Sequence, residues 1–450
     1  MLRVYTLIPN VSGCTTDWIK YHFPGIKQMG FDTVHFLPLT AMGGSESPYS
    51  VSDHFAIDPS YASNGGGMGE IAMLVNALKD TGLRGCFDLV LNHVAPDGVI
   101  ARDHPEWIPQ ENGSPKHAGY QWGDRWLPWD DLVLIDYGHS DPEIRNNVWD
   151  YMSRYAKFWA GLAAQTGGSI RLDNLHSSHS GFVKKLLDDV RLEFPGINIL
   201  AELFNMDHCR QRDIYNDLGL NELLALQWND KFVPQLRNYL DHLHKSDLSY
   251  FLPISSHDSG SPTQEYGCVE STVPRYAVSV FFSMGSTGIV QGVEFGMPEK
   301  ISFIGRCGKK DLESCSGFDF RDYITIINRI GDDPVFQKKG LRFVDGGHGA
   351  VLAAYRNDEN SGQEVLVMAN LDTNSQQAVT ICPEHNGFSF DRNHMPRFPG
   401  YEAGENFIRF VLPPCGANLI RMNQKSHYSA TQFAPNSSMR RVDMIKSGVI

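Results

Sequence analysis

The alternation of strand-like and helix-like segments is the feature of this sequence that most constrains its fold. Apolar runs such as 83–94 alternate with stretches of helical periodicity such as 141–164, in units of about 30 to 50 residues. This order is typical of parallel strands joined by crossover helices. Over about the first 335 residues, eight strands and about eight helices predict an α/β fold, a (β/α)8 TIM barrel with an insertion after its third strand.

Two further segments depart from this alternation. The segment 95–140 holds four of the tryptophans among prolines, glycines and aspartates, and a loop of that length is usually functional. Beyond residue 340, short β-rich runs separated by turn signals predict an antiparallel β-sandwich. The predicted domains are the barrel (1–94 and 141–338), a Trp-rich insertion subdomain (95–140), a C-terminal β-sandwich (339–424) and a tail (425–450) that is either flexible or a helix packed on the barrel.

The composition excludes several classes of protein. The chain of 450 residues is 42% hydrophobic and 20% charged, which is typical of a soluble globular protein. Its net charge of −13, with no basic face visible, argues against nucleic acid as a partner. No run approaches the roughly 18 apolar residues of a membrane span, so no membrane partner is expected. A neutral substrate is therefore favoured.

The N-terminus and the cysteines bear on where the protein works. Residues 1–9 are typical of a first strand rather than of a secretion signal, which predicts a cytoplasmic protein, with secretion as the alternative if a signal was removed. The eight cysteines show neither zinc-type nor CxxC spacing, which favours free thiols in a reducing compartment. A loop disulfide between Cys307 and Cys315 is the alternative.

Charged residues stand where the predicted fourth strand should stay apolar. Ile170 and Leu172 alternate with Arg171 and Asp173, so the cation and the carboxylate lie on the same face of the strand. An arginine beside a carboxylate favours the ionised form that a nucleophile or a charge-stabilising group needs. An isolated Arg-x-Asp pair is more often a structural ion pair, so the other strand ends decide its meaning.

Polar residues also end three other predicted strands. Because the active site of a (β/α)8 barrel lies at the carboxyl ends of its strands, we expect these residues to lie together. Each alone fits a structural role, but four such ends in one barrel predict a catalytic site. The residues are Asp88, Asn92 and His93 after the third strand, Arg171 and Asp173 on the fourth, Glu202 after the fifth, and His257 and Asp258 after the seventh.

As a set, these residues resemble the motifs of the α-amylase superfamily, glycoside hydrolase family 13. The similar motifs, in chain order, are Asp88-x-x-x-Asn92-His93, Ile170-Arg-x-Asp173, Glu202 and His257-Asp258. The segments 47–59 and 288–296 also resemble the family, and the resemblance covers about residues 1 to 422. The runs around the three carboxylates look closest to the 4-α-glucanotransferase part of glycogen debranching enzymes.

The resemblance implies a retaining mechanism with two carboxylates about 5 to 5.5 Å apart. Asp173 would attack the anomeric carbon as the nucleophile, kept ionised by Arg171. Glu202, on an apolar strand that should disfavour its charge, would be the general acid and then the base. Asp258 would stabilise the oxocarbenium-like transition state.

The resemblance also implies a set of residues that bind the sugar. His93 and His257 would donate hydrogen bonds to the ring, and Tyr49 would stack beneath it. Tryptophans of the insertion would add sugar platforms, although packing within the subdomain explains any one of them equally well. The implied substrate-binding residues are Tyr49, Asp53, His93, Arg171, His176, His257, Trp122 and Trp126.

This chemistry requires no cofactor. The family's usual structural calcium would have Asn92 as a ligand. In this sequence His176 stands one place earlier after Asp173 than the family's histidine does, which weakens the inference of calcium. We therefore assign no metal site, and Asn92 is the one candidate calcium ligand.

The leading hypothesis is a retaining enzyme that hydrolyses α-1,4-glucosidic bonds in an α-glucan or maltooligosaccharide. The alternative is a 4-α-glucanotransferase that disproportionates maltooligosaccharides, since both reactions share a glycosyl-enzyme intermediate. An inactive sugar-binding relative is less favoured because all three carboxylates are present. A metal hydrolase built on Asp88, His93, Asp173 and His257 lacks the paired histidines that such sites favour.

Overall fold

Eight parallel strands form the central sheet of the computed structural model. The structure describes residues 1–63, 67–122, 125–204, 206–313, 317–338, 340–345, 349–388, 390, 400–423, 428–435 and 442–447. The barrel strands are β1 (Arg3–Leu7), β2 (Thr33–Phe36), β3 (Arg84–Leu89), β4 (Ser169–Leu172), β5 (Asn198–Ala201), β6 (Glu222–Leu224), β7 (Tyr250–Phe251) and β8 (Thr287–Val290). Nearly all their residues are buried, as expected for a parallel sheet covered by helices.

The strands lie in the sheet in chain order, and the two edges meet. β1 pairs with β2 and β8, and parallel pairing continues from β2 through to β7. Beside β7, the backbone N–H of Leu252 donates to the carbonyl of Ser286 (2.8 Å), and that of Ile254 donates to the carbonyl of Gly288 (3.2 Å). The predicted TIM barrel is therefore confirmed.

Within the described residues, a helix follows each barrel strand. Asp141 caps the third of these helices by accepting a hydrogen bond from the backbone N–H of Glu143, with Pro142 at the first helical position. No described helix is both long and apolar enough to cross a membrane. The helices are 15–28 (Thr15–Asp17, Trp18–His22 and Phe23–Gln28), Met68–Thr81, Pro142–Gln165, Ser180–Glu193, His208–Leu218, Val233–Lys245, Thr272–Phe281 and Arg321–Gly331.

Several barrel strands are shorter than the sequence predicts. The apolar run 249–256 contributes only Tyr250–Phe251 to the sheet, and the run 83–94 contributes only Arg84–Leu89. In both runs the backbone leaves the sheet before the last motif residues, Asn92 and His93 in the first case and His257 and Asp258 in the second, whereas Asp88 still lies within its strand. The loops therefore carry these side chains to the mouth of the barrel.

The insertion after β3 contains an antiparallel hairpin, His117–Trp122 paired with Arg125–Leu134. The second strand of the hairpin also pairs with His93–Val94, which places Leu134 opposite His93. Backbone pairing therefore attaches the hairpin to the residues that follow β3. The loop after β2 forms a second small antiparallel pair, Thr40–Met42 with Val51–Ile57.

Two antiparallel sheets follow the barrel and form the predicted C-terminal sandwich. Their strands are β9 (Arg342–Phe343), β10 (Val351–Asp358), β11 (Gln363–Asn370), β12 (Gln377–Ile381), β13 (Tyr401–Ala403), β14 (Ile408–Leu412), β15 (Ala417–Asn423), β16 (Tyr428–Pro435) and β17 (Val442–Ser447). One sheet has the order β9-β10-β11-β15-β16-β17, and the other β12-β14-β13. Leu366, Phe410 and Ile420 belong to the apolar core between them.

The larger sheet also packs on the barrel. Val367 and Phe433 belong to the same apolar cluster as the barrel core. The ring of Phe433 lies 5.5 Å from that of Tyr323 in the last barrel helix. The buried guanidinium of Arg356 donates to the carbonyl of Ser283 at 2.5 Å. Barrel and sandwich therefore share one packed interface.

The residues expected to form a tail instead extend this sheet. β16 pairs with β15 along its length, and β17 pairs with β16. Ala430 lies in the sandwich core and Phe433, three positions further and so on the opposite face, lies in the barrel cluster, which fits a strand buried on both faces. Residues 428–435 and 442–447 are therefore neither a loose tail nor a helix, because the edge of β15 offers backbone partners to β16, and β16 in turn offers them to β17.

Candidate active site

Arg171 lies at the centre of a cluster of carboxylates at the ends of β3, β4 and β5. Its Nη1 donates to Asp88 Oδ2 (2.5 Å) and to Asp173 Oδ1 (3.2 Å), and its Nη2 donates to Glu202 Oε2 (2.8 Å). The Arg171 side chain is only 3% exposed. Charge-assisted hydrogen bonds to three carboxylates compensate for burying the guanidinium. Three of the predicted strand ends thus converge on one cation.

Asp88, within β3, fixes the position of Arg171 through their hydrogen bond. Its Oδ2 also accepts a hydrogen bond from the Tyr49 hydroxyl (2.8 Å), and His35 Nε2 lies 3.4 Å away. Burial raises the pKa of Asp88, but Arg171 together with His35 and His257 outweighs burial, so the pKa lies below its usual value. The Asp88 side chain is fully buried and therefore positions its neighbours. His35 was not predicted, since one histidine in an apolar strand gives no signal.

The charge balance around Asp173 differs from the expectation. Burial raises the pKa of Asp173 well above its usual value, the charges of Glu202 and Asp88 raise it further, and Arg171 opposes these effects without cancelling them. One guanidinium faces three carboxylates, so the cluster favours the uptake of a proton. Arg171 alone therefore does not keep Asp173 ionised.

The surroundings of Glu202 are more polar than its apolar strand suggests. Besides Arg171, the backbone N–H of Asn174 donates to Glu202 Oε2 at 3.1 Å. Asn174 has a left-handed backbone conformation (φ 45°, ψ 46°), which asparagine adopts more readily than most residues. The turn after β4 thereby directs an N–H group at Glu202. Hydrogen bonds, rather than apolar contacts, hold this carboxyl group beside Asp173.

The loops after β2 and β7 bring Tyr49, His257 and Asp258 to the same cluster. The Tyr49 hydroxyl lies 2.6 Å from His257 Nε2, which in turn lies 3.0 Å from Asp258 Oδ2. The Tyr49 and His257 rings stack, with centroids 5.6 Å apart and 5° between their planes. Partial burial raises the pKa of Asp258, but His257 outweighs it, so the pKa lies below its usual value. The Asp258 side chain is 53% exposed and thus open to a ligand.

Two residues of the loop after β8 complete this side of the site. Phe303 packs edge-on against the rings of Tyr49 (5.6 Å) and His257 (5.5 Å). Lys300 Nζ donates to the backbone carbonyl of Asp258 at 2.8 Å and lies 5.2 Å from the centre of the Phe303 ring. The loop therefore supports the two aromatic rings and the turn that presents Asp258.

Contacts with distant segments hold the loop after β8 in place. Arg306 Nη1 donates to the buried Asp58 carboxylate at 3.0 Å, and the N–H of Gly305 donates to the carbonyl of Glu46 at 2.9 Å. Sequence reasoning missed Phe303 and Lys300. No local pattern connects them to the motif residues, so only the three-dimensional packing reveals them.

The insertion places aromatic side chains beside His93. The Trp129 ring lies 6.2 Å from the His93 ring and stacks on Tyr120 at 5.8 Å. Burial lowers the pKa of His93 to about 4, so this residue is neutral at pH 7. Trp126, on the same hairpin, is 49% exposed, and the side chain of Trp122 lies outside the described residues. Trp129 and Tyr120 were not among the predicted binding residues.

Of the other predicted binding residues, His176 lies beside Glu202 and Asp53 does not. Burial lowers the pKa of His176, and the nearby charge of Glu202 opposes this shift. Asp53 Oδ1 accepts a hydrogen bond from the backbone N–H of Phe55 at 2.9 Å. Among the described residues, no hydrogen bond or ion pair links Asp53 to Arg171 or its carboxylates. The structure therefore places Asp53 outside the cluster.

Asn92 is the candidate calcium ligand that the sequence predicts. Asn92 is buried, and its Oδ1 has no hydrogen-bond partner among the described atoms. In the part of the chain that the structure describes, no three His, Cys, Asp or Glu side chains are grouped as metal ligands. The alternative set of Asp88, His93, Asp173 and His257 is not such a group, and Asp88 is hydrogen-bonded to Arg171. A calcium ion at Asn92 stays a prediction.

One protein-family model and several curated sequences are similar to this chain. The model of the glycogen debranching enzyme glucanotransferase domain matches residues 1–118. An alpha-1,4-glucan:maltose-1-phosphate maltosyltransferase from Picrophilus torridus is 22% identical over 420 residues, which are 86% of this chain and 63% of the relative. The chain spans 54% to 63% of the length of the first three curated relatives it matches.

Solved structures share the fold. An alpha-amylase from Lactobacillus plantarum has a TM-score of 0.73 at 16% identity, covering 94% of this chain and 98% of that one. A debranching enzyme from Nostoc punctiforme has a TM-score of 0.67 at 14% identity, covering 93% and 97%.

These findings define the class of the protein. The resemblance to the α-amylase superfamily is confirmed: a family model matches the first 118 residues, the curated relatives act on α-1,4-glucan by name, and the solved structures share the fold. The matched family model is named for a glucanotransferase domain, and these sequence relatives are named as maltosyltransferases, so both names describe transfer.

Proposed function

We propose that this protein is a retaining 4-α-glucanotransferase, which moves a glucan segment from one α-1,4-linked chain to another. The observation that carries the proposal is the cluster in which one buried guanidinium joins Asp173 and Glu202, with Asp258 reached through Tyr49 and His257. The matched glucanotransferase model and relatives named for maltosyl transfer support transfer as the outcome.

In the first half of the reaction, Asp173 attacks the anomeric carbon of the donor and Glu202 gives a proton to the leaving sugar oxygen. The two carboxyl groups share Arg171 and repel each other when both are ionised. A proton on Glu202 therefore lowers the pKa of Asp173, and a proton on Asp173 would block attack. The reactive form carries one proton, on Glu202.

In the second half, a hydroxyl group of the acceptor sugar attacks the glycosyl–Asp173 ester while Glu202 takes its proton. Two inversions give net retention, so both the broken and the formed bonds are α. Asp258, His257 and the stacked Tyr49 ring contact the sugar as it flattens. Transfer occurs when an acceptor sugar reaches the ester before water does. The stacked pair of Trp129, which is partly buried, and Tyr120, which is exposed, supplies a face on which an acceptor sugar stacks.

The test is to incubate the full chain with one purified maltooligosaccharide and resolve every product length. We expect products both longer and shorter than the starting sugar, with no net gain in reducing ends. Only shorter products with new reducing ends would show hydrolysis and contradict the proposal. A parallel reaction with maltose 1-phosphate and a glucan acceptor, read by phosphate release, determines whether this chain also uses the donor in its relatives' name.

Variants link the products to the site. Asp173→Asn and Glu202→Gln should each lower turnover by at least about 100-fold, because each removes one half of the acid–nucleophile pair. The matched control is Asp241→Asn, an exposed carboxylate paired with Lys245 on a barrel helix. It should leave the product pattern and rate unchanged. Comparable losses in all three variants would indicate a folding defect and not loss of catalysis.

A further inference from the structure

Two cysteines from different domains lie next to each other. Cys268, in the segment after β7, and Cys415, in the turn before β15, have their sulfur atoms 3.7 Å apart although 147 positions separate them in the chain. Both are free thiols in the structure. The loop disulfide between Cys307 and Cys315, which the sequence offers as an alternative to free thiols, stays a prediction because Cys315 lies outside the described residues.

The surroundings of the two thiols suit a sequential exchange. Cys268 is partly exposed, whereas Cys415 is 1% exposed and behind it. A hydrogen bond from the Cys415 thiol lowers the pKa of Cys268. Cys268 is therefore the thiol that a soluble disulfide reaches first, and Cys415 is the one placed to resolve the mixed disulfide.

The backbone on both sides fixes the pair. The backbone N–H of Cys415 donates to the carbonyl of Asp372 at 3.0 Å, and Cys415 has a φ of 51°, a left-handed conformation that few residues adopt. On the other side, Ser271 Oγ donates to the carbonyl of Cys268 at 2.5 Å. The sulfurs need to approach by about 1.6 Å to reach a disulfide bond length.

The segment that carries Cys268 is part of the active site. It runs from Asp258 through the helix Pro262–Tyr266, and its Gln264 Oε1 accepts a hydrogen bond from the backbone N–H of Lys300 at 2.6 Å. The Tyr266 hydroxyl donates to the carbonyl of Ile254 at 3.2 Å. A bond at Cys268 therefore restrains the segment that presents Asp258.

We propose that Cys268 and Cys415 form a disulfide bond that links the Asp258-bearing segment of the barrel to the C-terminal sandwich when the protein meets a low-molecular-weight disulfide. The Cys268 thiolate attacks one sulfur of oxidised glutathione and releases one glutathione thiolate. The Cys415 thiol then loses its proton to solvent and attacks Cys268 Sγ, which releases the second. Two protein thiols are oxidised and one glutathione disulfide is reduced. This inference does not depend on the proposed function.

The test uses the full chain, reduced, desalted and incubated with oxidised glutathione under native conditions, followed by peptide mapping by mass spectrometry. We expect a cross-linked peptide pair containing Cys268 and Cys415 that dithiothreitol separates. It should be absent from Cys268→Ser and from Cys415→Ser. Cys209→Ser, which removes an exposed thiol elsewhere, should still form it.

A stability measurement gives a second readout. Oxidation should raise the midpoint of thermal unfolding by about 3 °C in the natural chain and in Cys209→Ser, because the bond closes a long loop. Oxidation should not raise it in Cys268→Ser. Three results would overturn the proposal: glutathione that stays on Cys268 without a cross-link, a disulfide that joins other cysteines while these two stay reduced, or a cross-link that forms only after denaturation.

Discussion

The candidate site has two walls that are built in different ways. The strand-end wall consists of Asp88, Arg171, Asp173 and Glu202, and the loop wall consists of His257, Asp258, Lys300 and Phe303. The side chains of the strand-end wall are 0% to 15% exposed, whereas that of Asp258 is 53% exposed. Strand register fixes the first wall, because each member lies on or next to a paired β-residue. Packing of separate loops fixes the second.

This difference separates two tasks. The strand-end wall holds the nucleophile and the acid–base group to one shared cation, so small shifts there change the chemistry. In the loop wall, Asp258 is the proposed stabiliser of the transition state, whereas Lys300 and Phe303 support the surface that binds the sugar. Substitutions in the first wall should therefore lower kcat, and substitutions of Lys300 or Phe303 should mainly raise KM.

Arg171→Lys should have the largest effect. Lysine keeps the charge but lacks the fork that reaches Asp88, Asp173 and Glu202 together. Loss of two charge-assisted hydrogen bonds at about 1.5 kcal/mol each lowers kcat/KM by at least about 100-fold. Steady-state kinetics on a maltooligosaccharide measure this. Arg237→Lys, an exposed residue paired with Asp345, is the control and should keep full activity. A near-normal kcat in Arg171→Lys would show that Arg171 does not position the catalytic carboxylates.

The second prediction concerns acid stability. His54 is buried against Tyr155, with ring centroids 4.7 Å apart, and burial lowers its pKa to about 3. Because this is below the unfolded value of about 6.5, the unfolded chain binds the proton first as the pH falls. Stability is therefore lost from about pH 6.5 downward. At pH 5 this one group costs about 2 kcal/mol relative to pH 7.5.

His54→Phe keeps an aromatic ring and removes the titration. The loss of unfolding free energy between pH 7.5 and pH 5 should therefore be smaller in this variant by about 2 kcal/mol, measured by denaturant unfolding at both pH values. The exposed residue His385 gives the control, and His385→Gln should keep the natural pH dependence. An unchanged pH dependence in His54→Phe would show that His54 titrates normally.

Phe303→Ala tests the loop wall. The substitution removes edge-on contacts with Tyr49 and His257, each worth about 0.5 to 1.5 kcal/mol. We expect KM to rise roughly tenfold with kcat within about twofold of normal. Phe232→Ala removes a ring that is 70% exposed and should change neither constant. A fall in kcat as large as that of Arg171→Lys would show that both walls contribute to the chemical step to the same degree.

Lys300→Gln should have the smallest effect. It removes a hydrogen bond to the Asp258 carbonyl and a cation–π contact with Phe303 at an exposed position. Contacts of this kind contribute about 0.5 to 1 kcal/mol, so KM should rise about two- to fivefold. Lys309→Gln, in the same loop but paired with Asp17, is the matched control. Loss of more than about tenfold in kcat/KM would place Lys300 in direct contact with substrate.

The same contrast explains what the sequence could predict. Apolar and charged residues alternate over residues 170–173, as expected for a strand. The barrel and the strand-end wall can therefore be predicted from the local sequence pattern. Phe303 contributes through a loop held by segments far away in the chain, such as the Gly305–Glu46 hydrogen bond, and no local pattern contains that information.

Two expectations from the sequence, the apolar surroundings of Glu202 and the C-terminal tail, differ from the structure for the same reason. The polar surroundings of Glu202 arise from Arg171 and from the Asn174 backbone, not from the apolar neighbours on its own strand. β16 forms because β15 presents a free edge to it, and β17 then pairs with β16. In both cases the deciding partner lies elsewhere in the sequence.

The most direct test of the central claim is to trap the glycosyl group on Asp173. α-Maltosyl fluoride carries a leaving group that needs no proton, so Glu202→Gln should still form the ester and then fail to pass it on. Peptide mapping after rapid quenching should locate a maltosyl group on Asp173, and none should appear when Asp173→Asn is added to the same variant. An adduct on another residue, or equal labelling without the Asp173 carboxylate, would contradict the account.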